Sequence, residues 1–307
     1  MGKGESWETA TLVVRSSRQY GADLVTAPND GGYPAFPIDV PTSARMYDYS
    51  LGGKDNFPVD RKAVLHVCAQ QPASLDVTRE NRLFLYRAVR FMARDLEIRQ
   101  FIDLGSGLPT QANVHQVAQE FQPGAQVVYV DFDPIVLAHG RALLADDETT
   151  TVIAADVTVP EKILADEQVR RMIDFSRPVG VLLLSVTHSI VDDAAVHHLL
   201  GVVRDALVPD SYLAYSQLAG ISREGVDEGN AMVKKMGIPW KNRTLAEVAE
   251  FVRGFEPVEP GLVDVKTWRP DPTQPPLSPV DEALRPYLGK GADETRFYEY
   301  GGVLRWP

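Results

Sequence analysis

Residues 101 to 107 read Phe101-Ile102-Asp103-Leu104-Gly105-Ser106-Gly107. An apolar strand here runs straight into a glycine turn, and the reading of the whole chain follows from it. Glycine carries no Cβ and tolerates the dihedrals of a tight turn, so a strand ending in Asp-x-Gly-x-Gly lets the backbone approach a ligand closely. A helix predicted from near Thr110 would point its free N–H groups at the same spot. Two ligand classes suit such a turn, a dinucleotide or S-adenosylmethionine (SAM). The dinucleotide fingerprint needs a third glycine three residues after the second, for helix–strand packing. This chain has Thr110 there with Pro109 before it, and an acid, Asp103, two places ahead of the first glycine. Both departures favour SAM.

Downstream of the turn, strand and helix alternate. A strand is predicted at Gln126 to Val130, closing on Asp131-Phe132-Asp133-Pro134, then a helix at Ile135 to Leu144. A third strand, Thr151 to Ala155, ends in Asp156-Val157, and a helix is expected over Pro160 to Met172. The apolar run Val179 to Val186 reads as a buried central strand, with Ser185, Thr187 and His188 at its carboxyl end. A helix at Asp193 to Leu207 and a strand at Tyr212 to Leu218 complete the rhythm. Such alternation means right-handed βαβ units and therefore an α/β, Rossmann-like, doubly wound and mostly parallel sheet. Ligands bind at the carboxyl edge of an open parallel sheet, where the Asp131 carboxylate can accept both hydroxyl protons of a ribose. Beyond Leu218 the pattern changes. A polar loop is predicted at Ser222 to Glu228, then a helix at Gly229 to Met236. A second helix spans Thr244 to Gly254, opened by the capping box Thr244 with Glu247. Val263 to Trp268 and Tyr298 to Arg305 are candidate strands of an antiparallel edge, joined by the proline-rich loop 270–286.

Upstream, a strand is possible at Ala10 to Val14 before a Gly- and Pro-rich run. The stretch from Pro41 to Arg61 has Thr42 or Ser43 to cap a short helix and Gly52-Gly53 to stop it. Two tyrosines, a lysine, an aspartate and an asparagine crowd that break. Helices are predicted at Asp60 to His66 and Asp76 to Leu96; in the second, Asn81 and Arg82 either face the glycine turn or lie on the surface. The division expected is an N-terminal arm over 1–40, a helical lid over 41–97, and a core over 98–307 with a helical insertion at 219–255.

The 307 residues carry 31 basic and 42 acidic side chains, a net charge of -11. That balance argues against a broad nucleic-acid footprint and leaves a small molecule or a protein as partner. The single cysteine, Cys68, excludes an internal disulfide and a Cys-rich metal site, and fits a reducing cytoplasm. No apolar run approaches the ~18 residues of a membrane span, and no signal-peptide core opens the chain. No metal site is expected: His197-His198 lacks ligand spacing on its helix. Lys234, Lys235, Lys241 and Arg243 form a local basic cluster, read as a solvated face or an anion site. A homodimer is possible.

The order Asp103-x-Gly105-x-Gly107, Asp131 after the second strand and Asp156 after the third resembles the class I SAM-dependent methyltransferases. The chain is most similar to an actinobacterial S-adenosyl methyltransferase family once known only as a domain of unknown function. The resemblance is carried by Ala44-Arg45-x-Tyr47-Asp48-Tyr49-x-Leu51-Gly52-Gly53-Lys54-Asp55-Asn56-Phe57, by the glycine turn through Thr110, by Val128-Tyr129-Val130-Asp131-x-Asp133-Pro134, and by Trp268-Arg269-Pro270. It implies about seven strands, the last antiparallel, with SAM across the carboxyl edge and S-adenosylhomocysteine (SAH) as product. It further implies that Gly105, Ser106 and Gly107 line the methionyl part, with Asp103 anchoring the turn and the amino group. Asp131 would hold the ribose, Phe132 would flank the adenine, and Asp156 and Val157 would read its edge. The loop from Tyr49 to Asn56 would close over the cofactor, Asn81 or Arg82 would reach the methionyl carboxylate, and Ser185 would lie beside them. For the acceptor, His188 is the candidate general base, because its pKa suits neutral pH, or else a residue packing that loop; Tyr47 and Gln217 are candidate pocket residues. A regulatory SAM- or SAH-binding protein and an NAD(P)-dependent oxidoreductase are the alternatives.

Overall fold

The computed structural model describes residues 38–110, 112–143, 148–235, 239–291 and 296–307. The strand expected at Ala10 to Val14 and most of the N-terminal arm lie outside the described residues. The central strands are β1 (Gln100–Leu104), β2 (Gln126–Asp131), β3 (Thr150–Ala154), β4 (Gly180–Leu184) and β5 (Tyr212–Gly220). Two-residue strands follow at Arg243–Thr244 (β6), Glu256–Pro257 (β7) and Val263–Asp264 (β8), and β9 is Phe297–Arg305. The sheet order is β3-β2-β1-β4-β5-β9-β7, with β6 beside β5 and β8 beside β9. Strands β1 to β5 are mutually parallel, and β9 runs antiparallel to β5 from Tyr212 opposite Arg305 to Gly220 opposite Phe297. The direction of winding reverses between β1 and β4, and a crevice opens there at the carboxyl edge.

Side chains alternate across the sheet, so neighbouring residues of one strand enter different cores. Ile102, Val128, Val181 and Leu183 belong to one core, which the helix Asp193–Ala206 covers with Val196, Leu199 and Val203. Phe101, Val127, Leu182 and Val303 belong to the other, covered by Phe84 and Val89 of the helix Ser74–Arg90 and by Val117 of the helix Val114–Phe121. Each such fully buried side chain contributes ~1.5–3 kcal/mol. Trp268 of the Trp-Arg-Pro motif is fully buried in this second core, edge-on to Phe84 and Phe91 at 5.4 and 5.7 Å. The motif is therefore architectural.

Further helices include Ser43–Ser50, Pro58–Gln70, Pro134–Leu143, Arg223–Lys235 and Leu245–Phe251. Several boundaries differ from the sequence reading for identifiable reasons. The helix expected from near Thr110 starts only at Val114, because the Asn113 side chain accepts from Thr110 N at 2.9 Å and Gln116 Oε1 accepts from Asn113 N at 2.9 Å. The stretch Ser222 to Glu228, expected as a loop, is mostly helix: Ser222 Oγ accepts from Gly225 N at 3.1 Å at its start. The helix expected over Pro160 to Met172 breaks at Asp166, which caps the second half through Gln168 N. Of the strand expected at Val263 to Trp268, only Val263–Asp264 pairs; Asp264 then caps a 3-10 turn over Val265–Thr267.

Candidate active site

The glycine turn is fastened to the second strand. Gly105 N and Ser106 N both donate to Val130 O, at 2.8 and 3.2 Å. Gly107 N donates to Asp131 Oδ2 at 2.9 Å, and Asp133 N to Asp131 Oδ1 at 2.8 Å. Gly105 has φ +76°, and a Cβ there would meet Val186 Cγ2 at 2.6 Å, so only glycine fits. Gly107, at φ +66°, would meet nothing within 4 Å: its open side faces the crevice region. The following helix starts seven residues later, where Gln116 Oε1 accepts from Asn113 N, so this helix does not open directly from the turn.

A cleft opens over this turn. Asn81, Arg82, Asp103, Gly105, Ser106, Gly107, Asp131, Phe132, Asp156, Val157, Ser185 and Tyr47 all line it, so the structure brings together nearly all of the sequence-derived cofactor set. Its charge is one-sided. Asp48, Asp103, Asp131, Asp133 and Asp156 face one guanidinium, Arg82, among the described lining residues. Burial pushes the Asp103 carboxyl up to about 7, with the Arg82 charge pulling the other way and Asp131 adding to the rise. Burial likewise raises Asp131 to about 6, against the N–H groups of Asp133 and Gly107. Carboxyls held this way gain from a cationic ligand and would repel a pyrophosphate.

Two expected residues lie elsewhere. Tyr49 is not in the cleft: it packs with Val64, Cys68, Leu75, Val280 and Leu284 in a small core under the N-terminal helices. Only Leu51 of the loop after it lines the cleft; Gly52 to Asp55 line a smaller neighbouring pocket that shares Asp48 and Arg82 with it, and the loop is pinned by Asp48, whose Oδ2 accepts from Asp55 N (2.9 Å) and Asn56 Nδ2 (2.7 Å). Gln217 is fully buried away from both cavities, its Oε1 accepting from the Thr187 and Tyr215 hydroxyls at 2.6 and 3.1 Å. The basic cluster also dissolves. Arg243 is buried and bonded to Asp193, Thr187 O and Ile190 O, and Lys241 pairs with Asp193 at 2.6 Å, while Lys234 and Lys235 are exposed on their helix.

Beside the cleft lies a second cavity, with mostly apolar walls that include Met46, Val64, Leu75, Leu218, Val233 and Phe297. Tyr47, Ser43, Ser185 and Trp240 border both spaces, so the two are adjacent. His188 lines the second one and packs against Trp240, ring centroids 4.5 Å apart. Burial and the nearby Arg243 charge push its imidazole down to about 3, so it is neutral and weakly basic at neutral pH. Tyr47 is held between Thr78 O, to which its hydroxyl donates at 3.0 Å, and Asn81 Nδ2, from which it accepts at 2.8 Å; burial raises its pKa. Asn81 Oδ1 in turn accepts from Ser216 Oγ at 2.6 Å. Sequence reasoning missed Trp240, Asn242 and Glu299, all of which line this cavity. For Glu299 a signal existed: in Tyr298-Glu299-Tyr300-Gly301 the acid falls on the same face as buried Gly301 and Val303.

The profile of the S-adenosyl methyltransferase family matches residues 33–307. A methyltransferase candidate from Thermobifida fusca YX, known from a crystal structure at 1.95 Å, is 42% identical, with a TM-score of 0.74 over 89% of this chain and 98% of its own. A DUF574 family protein from Streptomyces avermitilis MA-4680 is 34% identical, with a TM-score of 0.74 over 88% of this chain and 99% of its own. No curated protein sequence matches. Among the described residues no helix is long and apolar enough to cross a membrane. The glycine turn, the acidic strand ends and the extent of these matches lead to one assignment: the chain belongs to the S-adenosyl methyltransferase family and is a SAM-dependent methyltransferase.

Proposed function

We propose that the acidic cleft holds SAM and that the adjoining apolar cavity receives a small-molecule methyl acceptor. The observation that carries this is the pairing of the two spaces: a cleft lined by five aspartates and one arginine, sharing Ser185 and Trp240 with an adjacent cavity that has mostly apolar walls. The residues present fit the cofactor. The open side of Gly107 gives it close backbone approach. Arg82, whose Nη2 donates to Ala112 O and Asn113 Oδ1 at 3.2 Å each, brings the positive charge for a methionyl carboxylate, and Asp103 the anion for its amino group. Asp131 suits a ribose diol, Phe132, 40% exposed at the rim, an adenine face, and Asp156 with Val157 its edge. Bound SAM supplies an electrophilic methyl on a sulfonium sulfur, and the pair of the broken carbon–sulfur bond stays with sulfur.

The chain's own residues then have to align and desolvate. Holding two reactants near attack distance is worth ~7 kcal/mol or more, so the rigid wall between cleft and cavity matters most. That wall is the hydrogen-bonded series Tyr47–Asn81–Ser216, continued by Ser185 N, which donates to Ser216 Oγ at 3.1 Å. The acceptor cavity's apolar walls exclude water from the methyl and favour a compact organic acceptor over a nucleic acid. Incubating the protein with methyl-labelled SAM and a cell extract, then separating by ultrafiltration, should put the label in the filtrate. Label retained on protein or nucleic acid would defeat this reading.

A further inference from the structure

We propose that Glu299 is the catalytic proton acceptor of this enzyme, its Oε2 taking the proton from an O–H or N–H group of an otherwise apolar acceptor that bears no negative charge. The inference rests on the acceptor-cavity reading above and deepens it.

Glu299 sits on β9 opposite Leu218 of β5, and strand alternation turns it toward the cavity that both residues line. It is only 4% exposed, an unusual place for a carboxylate unless partnered. One oxygen is partnered: Ser185 Oγ donates to Oε1 at 2.5 Å. The other, Oε2, is buried with no hydrogen-bond partner. Ser185 itself is held in the left-handed region at φ +60°, its N–H donating to Ser216 O at 3.0 Å. A non-glycine residue kept there by surrounding bonds is typical of functional sites, and Ser185 borders both the cofactor cleft and the acceptor cavity. The carboxyl is thus tied to the point where the two spaces meet.

The other titratable groups near it serve poorly as base. The Tyr47 hydroxyl is already committed to Thr78 O and Asn81, and Tyr215, from β5, bonds Thr187 and Gln217. His188, after β4, is neutral with a weakly basic ring. Asp264 of β8 acts on Glu299 only as a nearby negative charge. Burial, the largest cause, pushes the Glu299 carboxyl up to about 7, with the Ser185 hydroxyl opposing. A base near the working pH is the most effective kind. In the step, the acceptor's O–H or N–H bond breaks, its electron pair stays on the heteroatom that attacks the methyl carbon, and the proton passes to Oε2. The neutral carboxyl returns it to water as product leaves. Three further unpartnered polar atoms in the cavity walls, His188 Nδ1, Trp240 Nε1 and Asn242 Oδ1, stand ready for other polar groups of the acceptor. Among the described lining residues there is no lysine or arginine, so an anionic acceptor would meet Glu299 without a counterion.

The test uses 2-naphthol and 2-naphthoate as probes, titrated calorimetrically into the SAH-loaded wild type and Glu299→Gln. Wild type should bind naphthol about tenfold or more tightly than naphthoate, since like charges in one site are costly. In Glu299→Gln that preference should largely vanish while SAH affinity is unchanged. Infrared titration of the unliganded protein supplies a second reading: the protonated-carboxyl band titrating near pH 7, to which Asp103 also contributes, should be larger in wild type than in the variant by the intensity of one carboxyl. Naphthoate binding as tightly as naphthol, no naphthol binding, or identical infrared titrations would overturn the proposal. Failure of wild type to bind SAH would instead overturn the cofactor reading beneath it, and the infrared comparison would still decide the state of Glu299.

Discussion

Replacing Asp131 with alanine is expected to weaken SAH binding about a hundredfold. β2 delivers this carboxylate to the sheet edge, where it accepts from Gly107 N and Asp133 N and so joins the glycine turn to the loop after β2. In the proposed complex it also receives the ribose hydroxyls. Hydrogen bonds to a charged group are worth ~1.5–3 kcal/mol each, and losing about 3 kcal/mol of binding corresponds to roughly a hundredfold in Kd. The fold should survive, because Gly105 N and Ser106 N remain bonded to Val130 O. Asp131→Asn should fall between, since an amide keeps the shape and one acceptor but presents N–H where an acceptor is wanted. Calorimetric titration reads the effect. Binding within threefold of wild type in the alanine variant would remove Asp131 from the cofactor site.

Asp60→Ala is expected to cost about 3–5 kcal/mol of stability, the usual price of stranding one member of a buried ion pair. Arg45 and Asp60 are 1% and 0% exposed. Asp60 accepts from Arg45 Nε and Thr42 N at 3.1 Å each and from Phe57 N at 2.8 Å, locking the helix Ser43–Ser50 to the helix Pro58–Gln70. Arg45 also reaches Val40 O and lies over the Phe57 ring. Domains commonly have only ~5–15 kcal/mol in total, so the midpoint of urea unfolding should fall markedly. The pair also positions Tyr47, which borders both cavities, so residual folded protein should bind SAH more weakly. Substituting both members with apolar residues, Arg45→Met with Asp60→Leu, should recover much of the loss. A cost below about 1 kcal/mol for Asp60→Ala would mean the pair behaves as a solvated surface bridge.

What could be read from residues alone was whatever depends on local pattern. Alternation of apolar strands and amphipathic helices predicted the parallel sheet, and the glycines after β1 with acids after β2 and β3 predicted the carboxyl-edge cleft. The antiparallel run of β9 against β5 agrees with the expected last strand. What failed was set by tertiary packing. Tyr49 belongs to a motif at the cleft, yet helical geometry carries its ring to the opposite side from Tyr47 and Asp48, into the core with Leu75 and Leu284. Gln217 alternates with Ser216 on β5, and it was Ser216 that reached Asn81 at the wall between the cavities. Glu299 lies nearly two hundred residues from the glycine turn, and only the pairing of β9 with β5 brings it to Ser185. Helix starts were misjudged where a side chain competed for backbone N–H groups, as Asn113 does ahead of Val114.

The most direct measurement is calorimetric titration of the unliganded wild-type protein with SAH, NAD and NADP under identical conditions. A cleft that sets five aspartates against one arginine predicts saturable one-site binding of SAH and no binding of either pyrophosphate-bearing dinucleotide. Saturable binding of NAD or NADP, with none of SAH, would contradict the assignment of this cleft to SAM.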